Sequence, residues 1–232
     1  MTVGARLPAQ LPPSLTEQAD DIDRIWSGFV LIALGVATLV AVLLIIVLVR
    51  FRRGKDDTGI PRQVHENLRM EIAYVVVPLL VVAGLFAVTF VSVEAIDEVD
   101  EDAELVVDVL GFQWQWQFAY PASGVSVVGT DAEIPELVLP ADTAVRFDLT
   151  SIDVIHSFWI PGFRFKRDLF PGQTTSFSVD VGSRTGEFPY SGVCAEFCGL
   201  DHHKMQFSVR VVTPEEFEQW LQERVDATED GP

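Results

Sequence analysis

Basic side chains are scarce in this sequence, and scarcest in its second part. Of 232 residues, 34 are acidic and 16 are lysine or arginine, only three of them lysine, for a net charge of −18. Residues 1–93 balance at 8 acidic and 8 basic side chains, whereas residues 94–232 carry 26 and 8. A surface so charged excludes a nucleic-acid binder, because phosphate would be repelled. It attracts a basic protein partner, and it also suits halophilic solvation. At molar salt the Debye length shrinks to roughly 3 Å, so steering is weak and charge alone names no partner. Cysteine is equally sparse. Cys194 and Cys198 are the only two, which excludes a multi-disulfide scaffold and an all-thiolate iron–sulfur cluster. Met1–Gln18 lacks an apolar core and contains Pro8, Pro12 and Pro13. No separate cleavable signal is therefore expected, and residues 1–25 read as an irregular outer tail. No internal repeat is visible.

Charge is missing altogether from Trp26 to Val49 and again from Ile72 to Val93. Twenty-four residues of helix rise roughly 36 Å, enough for a hydrocarbon core of roughly 30 Å. Two such runs in succession exceed what a small soluble core needs, so residues 26–93 are expected to form a transmembrane hairpin in contact with lipid. Pro78 and Gly84 are tolerable in the second span. The loop 50–71 concentrates Arg50, Arg52, Arg53, Lys55, Arg62 and Arg69. Positive charge marks the cytoplasmic side, so both termini and everything after Val93 are expected outside the cell membrane. Residues 94–104, with seven acids, read as a solvated linker.

From residue 105 the hydrophobic period changes to two. Val107 and Val109 flank Asp108, Phe177, Val179 and Val181 alternate with Ser178 and Asp180, and Phe207, Val209 and Val211 alternate with Ser208 and Arg210. Short alternating runs between turn residues predict an antiparallel β-sandwich or barrel over 105–232. A short helix closes the chain. Thr213 and Glu216 form a capping box, and Pro214 suits the first helical position.

The chemistry concentrates in Cys194-Ala-Glu196-Phe-Cys198-Gly-Leu-Asp-His202-His-Lys-Met205. Thiolate and imidazole together suit copper, zinc or iron–sulfur. The thioether discriminates, since zinc prefers thiolate, imidazole and carboxylate. A single blue copper needs one cysteine, two histidines and an axial methionine, and here there is one cysteine too many. Two thiolates can instead bridge two copper ions. A second histidine is then needed. His65 falls in the cytoplasmic loop, and His203 adjoins His202 and points elsewhere. His156, in Asp153-Val-Ile-His156-Ser-Phe-Trp, remains. A Cys194–Cys198 disulfide with unrelated histidine and methionine is the competing reading of the same residues.

The Cys-x-Glu-x-Cys-x3-His-x2-Met pattern resembles the CuA site of subunit II of the heme-copper oxidases, and the resemblance covers nearly the whole chain. It implies a cupredoxin-like Greek-key fold. It implies that Cys194 and Cys198 bridge both coppers, with His156 and Met205 completing one ion, and His202 and the Glu196 carbonyl the other. It also implies that the Glu196 side chain reaches a magnesium ion shared with subunit I. In Gly111-Phe-Gln-Trp114-Gln-Trp116-Gln-Phe118, alternation predicts Trp114, Trp116 and Phe118 on one face. Such an aromatic strand alone reads as core, but the resemblance makes Trp114 the electron-entry point, with Gln115 where an aromatic is usual. Glu71, at the start of the second span, matches a proton-pathway entrance. The basic cluster Arg164, Lys166 and Arg167 matches a loop facing subunit I.

These expectations converge on a subunit of a cytochrome c oxidase. It takes electrons from a soluble donor, cytochrome c or a small blue-copper protein. It passes them to subunit I, with subunit III alongside, for oxygen reduction to water coupled to proton pumping. The hemes and third copper of that reaction have no place in this chain. Two alternatives remain open: a CuA-containing nitric oxide reductase subunit, and a non-redox membrane-anchored copper-binding module.

Overall fold

The structure, a computed structural model, describes residues 12–52, 54, 59–60, 63–130 and 132–229. Arg53, Lys55 and Arg62 of the basic loop, and residues 1–11 with Pro8, lie outside the described residues. Chain contacts divide the protein into two units. Asp23–Ile96 forms one, and Asp97–Pro232 forms the other together with the described residues before Asp23.

The first unit consists of most of two long helices, α1 (Glu17–Arg50) and α2 (Leu68–Asp97). Both are long and apolar enough to cross a membrane. Each helix overruns its uncharged run at both ends, because charged residues such as Glu, Lys and Arg are good helix formers. Thr16 caps α1 by accepting the Ala19 N–H (3.1 Å), and Glu17 and Asp20 favour the positive end of its dipole. Asn67 caps α2, accepting the Met70 N–H (3.3 Å). The Glu71 carboxylate reaches back to the Asn67 N–H (3.2 Å).

The second unit is a two-sheet sandwich. One sheet holds β1 (Leu105–Phe112), β2 (Gln115–Tyr120), β3 (Val125–Val128), β5 (Thr143–Ser151) and β8 (Thr175–Val181), in the order β3-β2-β1-β5-β8. The other holds β4 (Glu136–Pro140), β6 (His156–Ile160), β7 (Phe165–Leu169), β9 (Gly186–Cys194) and β10 (Gln206–Val212), in the order β4-β10-β9-β6-β7. Alternation along the strands is as read: Val107, Val109, Phe177, Val179, Val181, Phe207, Val209 and Val211 are buried. The sandwich is not purely antiparallel, however. β1 pairs with β5, and β4 with β10, in parallel. Period-two patterning is the same for either direction, so it carries no information about that choice.

Aromatic rings fill the space between the sheets. Phe158 and Phe207 stack at 5.0 Å, and Trp116 meets both edge-on. Tyr120 is buried; its hydroxyl donates to the Val138 carbonyl (2.8 Å) and accepts the Val138 N–H (3.0 Å). Burial raises its pKa far above the ordinary range. α3 (Pro214–Glu229) closes the sandwich by burying Phe217 and Trp220. Its capping box forms reciprocally between Thr213 and Glu216 (3.0 and 3.2 Å).

The segment read as an outer tail is docked where it is described. Leu15 is buried, donating its N–H to the Gly162 carbonyl (3.0 Å) and accepting that of Gly182 (2.9 Å). Thr16 bridges to Val181 at the edge of β8. The acidic linker is tied as well. Asp97 pairs with Arg167 (3.1 Å), Glu101 with Arg146 (2.7 Å), and the Asp100 N–H donates to Ser178 Oγ (2.9 Å). Contacts between segments so distant in sequence leave no local pattern to read.

Candidate metal centre

Strand pairing assembles the site. β6 and β9 are antiparallel neighbours with Phe158 opposite Cys194, which brings His156, the first residue of β6, beside the last residue of β9. The Ala195 N–H donates to the Ser157 carbonyl (2.9 Å), and the Cys194 N–H to the Met205 carbonyl (3.0 Å). The cysteine loop is thus fastened on both sides to packed strands. His202 lies on a 3-10 turn (His202–Lys204) that delivers Met205 to the start of β10.

The two sulfurs lie 3.8 Å apart, nearly twice the roughly 2.05 Å of a disulfide. His156 Nδ1 is 3.9 Å from Cys194 Sγ, His202 Nδ1 is 3.6 Å from Cys198 Sγ, and Met205 Sδ is 3.8 Å from Cys198 Sγ. The Glu196 carbonyl oxygen is 3.2 Å from Cys194 Sγ. Exposure is 0% for His156, 6% for Cys194, 4% for Cys198 and 1% for Met205, so these donors converge out of water. A metal bonded at about 2.3 Å to each of two thiolates requires sulfurs no more than about 4.6 Å apart. The observed spacing therefore fits a shared metal pair, and the soft donor set fits copper.

Electrostatics ready one thiol, and only one, for loss of its proton. Burial resists the Cys194 thiolate, but the His156 hydrogen bond and the Ser157 and Glu196 backbone bring its pKa down to about 7. Burial and the charge on Cys194 push Cys198 up to about 12. Without metal, one thiolate therefore forms near neutral pH and resists the second. Burial also works against a charged His156, yet its contacts with Cys194 and Asp153 raise its pKa overall. Asp153 is held below the ordinary carboxylate range: burial opposes its charge, but the Gln113 N–H and the His156 ring outweigh that.

Two family models match this sequence. One, described as Cytochrome C oxidase subunit II, periplasmic domain, spans residues 105–212. The other, described as its transmembrane domain, spans residues 5–94. The chain belongs to the cytochrome c oxidase subunit II family. The cytochrome c oxidase subunit 2 of Mycobacterium bovis is 33% identical over 272 residues, covering 93% of this chain and 74% of that protein. The probable cytochrome c oxidase subunit 2 of Streptomyces avermitilis is 36% identical over 251 residues, covering 92% and 78%. The periplasmic domain of subunit II of cytochrome oxidase from Bradyrhizobium japonicum is 32% identical with a TM-score of 0.48, covering 54% of this chain and 96% of that one. As a subunit II, the chain is part of an oxidoreductase complex, and its sandwich is cupredoxin-like. The cluster of His156, Cys194 and Cys198, which could hold a metal ion, sits on that sandwich.

The remaining residues expected to act in subunit II are placed as follows. His203 is exposed, with its neighbour His202 half-buried at the site. The Glu196 side chain is exposed. Trp114 does not share a buried face with Trp116 and Phe118. β1 ends at Phe112 and β2 begins at Gln115, so Gln113 and Trp114 form the hairpin tip and leave the alternation. Trp114 is instead half-buried against the cysteine loop, its Nε1 donating to the Cys198 carbonyl (3.3 Å). In the basic cluster, Arg164 donates to the carbonyls of Pro161 (2.7 Å) and Pro12 (2.8 Å), and Arg167 pairs with Asp97, which leaves Lys166 exposed. Sequence reasoning missed Asp153 and Gln113, both in contact with the site. A signal was present for Asp153: a carboxylate three residues before a ligand histidine can reach its ring.

Proposed function

We propose that this subunit II accepts single electrons from a soluble donor, cytochrome c or a small blue-copper protein, and passes each to subunit I. There oxygen is reduced to water with coupled proton pumping. The observation that carries the reading is the buried pair of unjoined sulfurs, flanked by two imidazoles and a thioether. Cys194 and Cys198 would hold both metals, with His156 and Met205 as further ligands for one and His202 with the Glu196 carbonyl for the other. When bound, such a copper pair supplies a one-electron carrier whose charge is shared between two ions. The protein keeps the donors fixed on packed strands, so little rearranges on each transfer. Trp114 is the entry point, half-buried and bonded to the backbone of a bridging cysteine. The exposed Glu196 carboxylate is free to join a magnesium ion with subunit I.

Glu71 opens α2 at the end of the basic loop and serves as a proton-pathway entrance. Both termini and the copper domain lie outside the cell membrane, and subunit III completes the assembly. The acid-rich surface is a halophilic adaptation. Cys198→Ser in the full chain tests the central role. Loss of the paired-copper spectrum is expected, and retention of two coupled coppers overturns the bridging assignment.

A further inference from the structure

The buried His156 ring has two nitrogens facing two different groups. Nδ1 faces Cys194 Sγ (3.9 Å), and Nε2 lies 2.9 Å from Asp153 Oδ1. The other Asp153 oxygen, Oδ2, accepts the backbone N–H of Gln113 (2.7 Å), 40 positions away in sequence. The Gln113 side chain turns the opposite way and donates from Nε2 to the Cys198 carbonyl (2.8 Å), 85 positions away. Trp114 donates to that same carbonyl (3.3 Å). One continuous path of hydrogen bonds therefore joins the β5–β6 loop, the β1–β2 tip and the cysteine loop. It starts on the ring of one metal donor and ends on the backbone of another.

We propose that Asp153 is a positioning residue for the copper pair: it holds the His156 ring with Nδ1 toward the sulfurs, and through Gln113 it is tied to the Cys198 carbonyl against which Trp114 rests. A carboxylate at Nε2 keeps the proton on that nitrogen and leaves the Nδ1 lone pair for the metal. It also places a negative charge behind a donor of the oxidised, more positive centre, which lowers the reduction potential. His156 is buried, but 29% of the Asp153 side chain is open to solvent, so salt screens part of that charge. A purely local role is the competing reading, because Asp153 also accepts the Val154 N–H (2.6 Å) and contacts Ser151 Oγ (3.3 Å) within its own turn.

The inference rests on the copper reading above, and the test separates the two. The full chain in detergent is loaded with copper as wild type, Asp153→Asn and Asp153→Ala. Copper affinity is measured by chelator competition, and the reduction potential by spectroelectrochemistry. Asp153→Ala is expected to weaken copper binding by about 10- to 100-fold and to raise the potential. Asp153→Asn keeps a hydrogen-bonding group but no charge. It is expected to recover most of the affinity while retaining the raised potential. If both variants match wild type in affinity and potential, Asp153 serves only its turn and the inference is overturned, even if thermal stability falls. A wild-type chain that takes up no coupled copper pair sinks the copper reading itself, and this inference with it.

Discussion

Gly199→Ala is the sharpest probe of the cysteine loop. Gly199 adopts φ = +124°, a conformation L-residues rarely hold. Forcing alanine into it costs about 1–3 kcal/mol. The new methyl would also lie 3.1 Å from Gln113 Nε2, 3.2 Å from Trp114 Nε1 and 3.3 Å from Trp114 Cζ2. Both side chains are held by hydrogen bonds to the Cys198 carbonyl, so neither can yield by a few tenths of an ångström without straining that contact. Losing one such bond costs about 1 kcal/mol. Together these effects amount to about 2–4 kcal/mol, or roughly 4–16 °C of melting temperature for a chain of this size. Gly124→Ala is the control. Gly124 has φ = +71° with nothing within 4 Å of the added methyl, so it carries only a backbone cost of about 1–2 kcal/mol. Thermal unfolding of the copper-loaded full chain, with the rate of reduction by a soluble donor, reads both effects. Gly199→Ala should lose more stability than the control and should slow electron entry, which the control leaves unchanged. Equal behaviour of the two variants would refute the packing of Gln113 and Trp114 on this loop.

Three further outcomes are expected. Trp114→Ala should slow donor-to-copper transfer about tenfold or more while copper content stays intact, measured by stopped flow; an unchanged rate removes Trp114 from the route. Glu71→Gln keeps an oxygen that can accept the Asn67 N–H but removes the titratable proton, so turnover of the assembled oxidase should fall with helix stability retained, and unchanged turnover leaves Glu71 as a cap only. Asp108 faces Asp148 in the parallel β1–β5 register. Burial and the Asp148 charge raise its pKa, partly offset by Arg146. The folded state therefore holds this proton more tightly than the unfolded chain, and stability falls as pH rises through the raised value. Asp108→Asn should recover up to about 0.5 kcal/mol above that range, and less at molar salt; a loss of stability in urea titrations at neutral pH contradicts the repulsion.

Much of the site was legible because its chemistry is written locally. Cys194, Cys198, His202 and Met205 fall within twelve residues, and the thioether separates copper from zinc. His156 was reachable by elimination, since the other histidines were committed elsewhere. The Thr213–Glu216 box and the buried valines of β1, β8 and β10 follow from i,i+3 and period-two rules. What could not be read depends on pairing between distant segments. The two parallel strand pairs leave the same alternation as antiparallel ones. Trp114 was misassigned to the face of Trp116 because nothing in a Gln-Trp-Gln-Trp run marks where the strand turns. The docking of Leu15 on Gly162 and Gly182, and the path from His156 through Asp153 and Gln113 to Cys198, exist only once the sandwich has closed.

The proposed function stands or falls with Cys194 and Cys198 as bridging thiolates for two copper ions. Electron paramagnetic resonance of the oxidised, copper-loaded full chain, read with its copper-to-protein ratio, tests this most directly. Two coppers per chain are expected, with hyperfine splitting from two equivalent copper nuclei sharing one unpaired electron. A single copper with splitting from one nucleus, or a copper-free chain whose two sulfurs are joined to each other, would contradict it.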